Sequence, residues 1–235
     1  MGSEARYQGP MVRPWTLLDR VDTDEGPLEL RQRAERDFMI TVAGRVLMSS
    51  ERTRSEVAVA ELGCAPIRER RRPRVLIGGL GLGYTLRAAL DVLPKDAEVL
   101  LAELNEAVVN WCRGPLAPLT DDALADSRVQ LRVEDVMRTI REAARGPKKL
   151  DAIIVDLYEG PGHVPPGKHD PLYGRAALTS VRDALSPGGV YAVWGEKRAP
   201  AFERHLEGLG FTFRLARNHA GQRHPVYVAV RGGET

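Results

Sequence analysis

A glycine-rich turn between a short apolar run and a helical pattern constrains the fold of this chain more than any other feature. Residues 75–77 are apolar and lead directly into glycines, which is typical of a buried parallel strand. Gly79, Gly81 and Gly83 allow the backbone to turn tightly and to approach a ligand closely. Glu103 follows 20 residues after Gly83, where a second strand should end and a carboxylate can accept both hydroxyls of a ribose. The spacing therefore predicts a nucleoside-binding crossover built from these four residues.

Strand-like and helical segments alternate beyond this point, which is typical of an α/β domain with a parallel sheet. Strands are predicted at residues 75–77, 99–103, 129–133, 152–156, 189–193, 211–216 and 226–230. Helices are predicted at residues 85–93, 106–113, 136–144, 172–184 and 199–208. The last two strands flank a turn-rich stretch and should form a hairpin. This order predicts the Rossmann-like, seven-stranded fold of class I S-adenosylmethionine enzymes.

The N-terminal part has a different pattern. Residues 28–33, 38–42 and 45–48 alternate in polarity, with Gly44 in a turn, and predict a small antiparallel sheet. A helical pattern follows over residues 55–62. We therefore expect a β-rich region with one helix over residues 1–66, and an S-adenosylmethionine-binding catalytic domain over residues 67–235.

Charge and composition limit the partners that we expect. The chain has 34 basic and 32 acidic residues and a net charge of +2, which argues against nucleic acid, and the arginine-rich run at residues 68–74 is interpreted as a solvated linker. Cys64 and Cys112 lack a metal-ligand pattern and are expected to be reduced thiols. No segment approaches 18 consecutive apolar residues and the N-terminus has no signal pattern. We expect a cytoplasmic protein without membrane association that acts as a homodimer on a small-molecule acceptor.

Glu134 and Asp135 follow the third strand of the predicted catalytic domain. A carboxylate at that end of a parallel sheet can accept a hydrogen bond from an adenine amino group. Asp135 also stands directly before a predicted helix, so a simple N-cap is the alternative. We favour an adenine contact.

The chemistry is expected in the loop after the fourth strand, which begins at Asp156 and continues through Tyr158 and Glu159 into a glycine- and proline-rich stretch. Two carboxylates three residues apart can face one cavity, hold a cationic substrate and accept the proton of an attacking amine. The alternative is that Asp156 only caps the loop and Glu159 is solvated. His163 and His169 flank a segment that we interpret as a lid, and no metal is expected there because no second ligand cluster exists.

These motifs resemble the catalytic domain of the spermidine synthase family, the polyamine aminopropyltransferases, over about residues 28–230. The resemblance is carried by the glycine run, the acidic residues above and the Leu185-Ser-Pro-Gly-Gly189 turn. It implies a 5′-thioadenosyl sulfonium donor, with Glu103 on the ribose, Asp135 on the adenine and the glycine loop near the donor's tail. It further implies that Glu56, Tyr158 and Glu159 contact the acceptor, that Asp156 also contacts the donor, and that Asp156 and Glu159 are catalytic.

The sequence departs from the family pattern at residues that contact the amine of the donor and the polyamine acceptor. The family has an aspartate in its glycine loop that helps to bind the amine of the decarboxylated donor, and Leu82 stands there in this chain. The catalytic aspartate of the family aligns with Glu159. The Tyr-His-Glu triplet of the family is Arg54-Ser55-Glu56 here, and a positive charge at Arg54 would repel a polyamine.

Three functions therefore compete. Because Leu82 cannot pair with an ammonium group, we favour methyl transfer from ordinary S-adenosylmethionine to an amine or carboxylate of a small molecule. The alternative is aminopropyl transfer from decarboxylated S-adenosylmethionine to a polyamine; transfer or cyclisation of the amino-acid tail is a further variant. The third is a nucleoside-binding protein without catalysis.

Overall fold

The computed structural model describes residues 13–157, 160–164, 170–216 and 224–233. Contacts within the chain divide it into two compact units, which meet in sequence between Glu51 and Arg52. No helix among the described residues is long and apolar enough to cross a lipid bilayer.

The first unit is a four-stranded antiparallel sheet. Its strands are β1 (Thr16–Thr23), β2 (Gly26–Ala34), β3 (Asp37–Val42) and β4 (Arg45–Ser49), in that order across the sheet. The β3–β4 connection has two residues, Ala43 and Gly44, both at positive φ, and this geometry suits the twist of a tight hairpin. The predicted antiparallel sheet is confirmed, with β1 as an additional strand.

The second unit contains a seven-stranded sheet with helices around it. Its strands are β5 (Arg74–Gly78), β6 (Glu98–Glu103), β7 (Val129–Val133), β8 (Leu150–Val155), β9 (Leu185–Trp194), β10 (Phe211–Ala216) and β11 (Val226–Arg231). Its helices are α1 (Arg54–Cys64), α2 (Tyr84–Val92), α3 (Glu106–Arg113), α4 (Val136–Arg145), α5 (Arg175–Ala184) and α6 (Pro200–Glu207).

The strand order in this sheet is β10-β11-β9-β8-β5-β6-β7. Strands β5 to β9 pair in parallel, and β11 is antiparallel to both β9 and β10. The apolar runs of β5, β6 and β8 are buried on both faces, as expected for central parallel strands covered by helices. The predicted Rossmann-like class I fold is confirmed.

Helix α1 belongs to the second unit by its contacts. A Cβ atom at Gly63 would lie 2.9 Å from Ala192 Cβ and 2.9 Å from Ile154 Cγ1, so the helix packs closely on β8 and β9. The predicted boundary at residues 66 and 67 grouped this helix with the N-terminal sheet, and that division stays a prediction. The packing of α1 matters for the site because it fixes the position of Glu56.

The arginine-rich run is more than a solvated linker. Arg70 Nη1 lies 2.5 Å from Asp151 Oδ1 and 3.0 Å from Ser186 Oγ, and Arg74 Nε lies 3.1 Å from Glu98 Oε1. These contacts join the amino ends of β5, β6, β8 and β9. Two of the arginines therefore stabilise the end of the sheet opposite the glycine loop.

Candidate active site

The strand order reverses at β5: β6 and β7 follow on one side of it, and β8 and β9 follow on the other. In open α/β sheets, ligands bind outside the carboxyl ends of the strands at such a switch point. The residues that follow β5, β6, β7 and β8 therefore define one candidate site. All the described residues predicted for the donor lie at this edge.

The glycine loop connects β5 to α2 and has the tight backbone turn that the sequence predicted. The φ angles of Gly79, Gly81 and Gly83 are +91°, +53° and +87°, all in the region that favours glycine. A Cβ atom at Gly79 would lie only 2.6 Å from the carbonyl oxygen of Asp156. Gly79 is thus required for the loop to pack directly against the segment that follows β8.

Glu103 ends β6 and is buried at 7% exposure. Its Oε2 accepts the N–H of Leu80 at 2.8 Å, and its Oε1 accepts the N–H of Asn105 at 2.8 Å. The carboxylate therefore anchors the glycine loop, a structural role that the sequence reasoning missed. Each carboxylate oxygen keeps further acceptor capacity, so the predicted contact with a ribose is compatible with this role and stays a prediction.

Asp135 is exposed and caps α4, because its Oδ1 accepts the N–H of Met137 at 2.8 Å. The N-cap alternative is therefore present in the structure, and the adenine contact stays a prediction. Two apolar side chains nearby were missed by the sequence reasoning. Leu104 after β6 and Val133 at the end of β7 are 68% and 49% exposed, an apolar surface that suits the flat face of a base. The signal in the sequence was the apolar Leu104 directly after the acidic Glu103.

Asp156 follows β8, and two other elements bring polar groups to it. The hydroxyl of Thr85, from the first turn of α2, donates to Asp156 Oδ2. Glu56, from the first turn of α1, is near enough that its negative charge affects Asp156. The sequence predicted Asp156 and Glu56 separately, and it missed Thr85.

Burial of this cluster changes its protonation. Burial first, and then the negative charge of Glu56, raise the pKa of Asp156 to about 7, although the hydrogen bond from Thr85 opposes the shift. Burial also raises the pKa of Glu56, against the hydrogen bond that Ser55 Oγ donates to Glu56 Oε2 at 2.6 Å. In the described part of the chain, no ion pair joins either carboxylate to a lysine, arginine or histidine. The pair therefore presents negative charge without a positive partner.

The continuation of this loop is described only in part. Tyr158, Glu159 and His169 lie outside the described residues. A Cβ atom at Gly160 would lie 2.7 Å from the carbonyl oxygen of Trp194, so the loop turns against the end of β9. His163 Nε2 lies 3.0 Å from Glu196 Oε2, and the described residues contain no group of three potential metal ligands.

Two departures from the family pattern, Leu82 and Arg54, guided the functional prediction. The side chain of Leu82 is buried at 3% exposure and packs in the core. Arg54 is exposed, and it contributes nothing to the shift in the pKa of Glu56.

Comparisons with known proteins identify the family of this chain. Residues 62–207 match the family described as the spermine/spermidine synthase domain. The polyamine aminopropyltransferase of Halorhodospira halophila is 37% identical over 122 residues, which are 51% of this chain and 40% of that protein. The enzyme of the same name from Clostridium tetani is 27% identical over 123 residues, 52% of this chain and 41% of that protein. The matched segment thus spans about two fifths of these curated relatives.

A solved structure of a spermidine synthase in complex with the transition-state analogue AdoDATO superimposes with a TM-score of 0.66. The match covers 93% of this chain and 73% of that one at 17% identity, so it supports the fold alone.

The family match covers more than half of the chain, and the protein belongs to the spermine/spermidine synthase family. The prediction of methyl transfer is therefore wrong, because the matching family and the curated relatives are those of polyamine aminopropyltransferases. The physical reason is that the prediction relied on the missing charge at Leu82. Glu56 from α1 and Asp156 after β8 are half-buried carboxylates that interact in the fold, and the inference from Leu82 alone did not account for this pair.

Proposed function

We propose that the protein transfers an aminopropyl group from decarboxylated S-adenosylmethionine to an amine of a polyamine. The observation that carries this proposal is the Glu56–Asp156 pair, two half-buried carboxylates without a positive partner among the described residues, beside the glycine loop. Unpaired buried charge is unfavourable, and a cationic ligand would relieve it. A polyamine is such a ligand.

The proposed reaction requires an acceptor amine that has lost its proton. The nitrogen lone pair attacks the aminopropyl carbon next to the sulfonium, the new N–C bond forms, and the C–S bond breaks to release neutral methylthioadenosine. One proton must leave the nitrogen. Asp156, with a pKa of about 7, is suited to accept it near neutral pH.

The choice of donor follows from the same charges. Ordinary S-adenosylmethionine carries a carboxylate on its tail, and Glu56 and Asp156 would repel it at close range. The decarboxylated donor carries only positive charge there. The related spermidine synthase was solved with AdoDATO, a transition-state analogue for that enzyme, which is consistent with this choice.

The other residues of the site have proposed roles. Gly79, Gly81, Gly83 and Glu103 would hold the nucleoside, and Asp135 would contact the adenine. Glu56, Tyr158 and Glu159 would contact the acceptor, with Glu159 as a second catalytic carboxylate. Assembly as a homodimer and a cytoplasmic location stay predictions from the sequence.

Product analysis tests the function directly. The protein is incubated with decarboxylated S-adenosylmethionine and a panel of diamines and polyamines, with ordinary S-adenosylmethionine in parallel, and the products are identified by mass spectrometry. We expect methylthioadenosine and an acceptor that is heavier by one aminopropyl group. A methylated product would contradict the proposal, and binding of methylthioadenosine without turnover of any acceptor would indicate a non-catalytic nucleoside-binding protein.

Glu56→Gln is expected to change the pH dependence of this reaction. Glu56 raises the pKa of Asp156 through its charge, so its removal should lower that pKa. The acidic limb of the pH profile of kcat/KM should therefore move to lower pH. The KM for the polyamine should rise, because one anionic contact is lost.

Glu61→Gln is the matched control for Glu56→Gln, since Glu61 lies on the same helix with an exposed side chain. It should leave both the pH profile and the KM unchanged. An acidic limb that stays in place in Glu56→Gln would show that the two carboxylates do not interact during turnover.

A further inference from the structure

Thr85 connects three elements of the site through one hydroxyl group. It is the second residue of α2, directly after the glycine loop, and it is buried at 3% exposure. Its Oγ1 donates to Asp156 Oδ2 after β8, and it also lies 3.4 Å from the main-chain carbonyl oxygen of Glu56 in α1. The hydroxyl therefore has two acceptors within reach, the Asp156 carboxylate and the Glu56 carbonyl oxygen.

A hydroxyl group has one proton to donate and two lone pairs to accept with. When Asp156 is ionised, Thr85 donates to Asp156 Oδ2. When Asp156 is protonated, the carboxylic acid can donate to Thr85 Oγ1, and the hydroxyl proton can turn to the carbonyl oxygen of Glu56. The hydrogen bonds are then satisfied in both protonation states, and no heavy atom has to move.

The surroundings hold both partners of this hydroxyl in place. The main chain of Asp156 is fixed because its N–H donates to the Gly78 carbonyl oxygen at 3.1 Å and its own carbonyl oxygen packs against Gly79. Among the described residues, Glu56 from α1 is the charged group that affects Asp156. Rotation of the Thr85 hydroxyl is thus the small movement that a change in protonation requires.

We propose that Thr85 is a positioning residue. Its hydroxyl turns between Asp156 and the Glu56 carbonyl, and it so holds the Asp156 carboxyl in one rotamer while that carboxyl takes the proton of the attacking amine. This inference rests on the proposed function of Asp156. It adds a residue that contacts neither the acceptor nor the donor, and that acts only through the orientation and proton affinity of Asp156.

The test compares Thr85→Val, which keeps the branched shape, with Thr85→Ser, which keeps the hydroxyl. Thr85→Val should lower kcat roughly 10- to 100-fold, since a slightly misplaced base loses much of its efficiency. It should also shift the acidic limb of the kcat profile to higher pH, because the hydrogen bond that lowers the pKa of Asp156 is lost. Thr85→Ser should restore both the rate and the pH profile.

A second measurement does not depend on turnover. The carboxyl carbon of Asp156 is titrated by carbon-13 NMR in protein labelled at aspartate, with Asp156→Asn used to assign the signal. The pKa should be higher in Thr85→Val than in the wild type and close to the wild type in Thr85→Ser. If the wild type transfers no aminopropyl group but this shift is present, the proposed function fails while the contact between Thr85 and Asp156 stands.

Thr41→Val is the matched control, because Thr41 is a buried threonine of the first unit whose hydroxyl contacts the Glu29 carboxylate at 3.4 Å. It should leave the rate and the Asp156 titration unchanged. If Thr85→Val does not fold, the comparison is made between Thr85→Ser and Thr85→Ala, which differ only in the hydroxyl. Equal rates and equal titrations in either pair would overturn the proposal, since the methyl group or the backbone would then be the contribution of Thr85.

Discussion

Asp156→Asn is expected to lower aminopropyl transfer by about 100- to 10,000-fold, the usual contribution of a general base. Asparagine has the same shape, and its Oδ1 can still accept the hydrogen bond from Thr85, but it cannot accept a proton at neutral pH. Turnover is measured at saturating donor and acceptor, and donor affinity by calorimetry with methylthioadenosine. Affinity should be nearly unchanged, because the nucleoside is expected to contact the glycine loop and Glu103.

Asp91→Asn is the control for this variant. Asp91 lies on α2, its side chain is 64% exposed, and it pairs with Arg87. It should keep the wild-type rate. A rate within a fewfold of the wild type for Asp156→Asn would remove Asp156 from the proton transfer and would favour Glu159 as the base.

Asp156→Asn should also change how stability depends on pH. The pKa of Asp156 in the folded state, about 7, lies above the ordinary value of about 3.9 for an aspartate in an unfolded chain. The folded state therefore binds the proton more tightly, and this contribution to stability is fully present below about pH 4 and lost as pH rises through about 7. Chemical denaturation should show that the free energy of unfolding falls more between pH 5 and pH 8.5 in the wild type than in Asp156→Asn.

Much of the fold could be predicted from the sequence because the central strands are apolar runs bounded by glycines and helical patterns. The predicted strand at residues 129–133 and the predicted helix at residues 106–113 match β7 and α3 residue for residue. Strand β1 was missed for a physical reason. Seven of its eight residues are exposed, so neither face has the apolar alternation that marks a half-buried strand.

The positions of the residues proposed for the donor could be predicted because they depend on local geometry. The positive φ angles of the three glycines follow from their spacing, and Glu103 follows from the length of one strand–helix–strand unit. The acceptor half depends on tertiary packing. Glu56 and Asp156 lie 100 positions apart in the chain, and they interact only because α1 packs on β8 and β9. No spacing rule connects them, and an inference from the single position Leu82 therefore gave the wrong transferred group.

The second large effect is expected from Glu103→Ala, which removes three hydrogen bonds in the donor-bound protein. One is the proposed charge-assisted bond to the ribose, worth about 1.5 to 3 kcal/mol. The others are the bonds to the N–H groups of Leu80 and Asn105 that shape the glycine loop in the free protein. Affinity for methylthioadenosine should fall by at least about 10- to 100-fold, because the ribose contact and the prearranged loop are lost together.

The structure also changes what we expect for the stability of Glu103→Ala. With a ribose contact as its only role, as the sequence indicates, removal of Glu103 would leave the fold intact. Leu80 is buried at 4% exposure, and its N–H would lose its partner without access to water. The free energy of unfolding should therefore fall by about 1 to 3 kcal/mol even without ligand.

Glu98→Ala is the control for Glu103→Ala, because it also removes an acidic residue from β6. Glu98 begins the same strand at the opposite edge of the sheet, where it pairs with Arg74 at 3.1 Å. Its removal should leave the affinity for methylthioadenosine unchanged. Both affinities are measured by titration calorimetry, with circular dichroism to confirm the fold. Wild-type affinity in a folded Glu103→Ala variant would show that neither the ribose contact nor the anchored loop contributes to donor binding, since each alone should weaken it measurably.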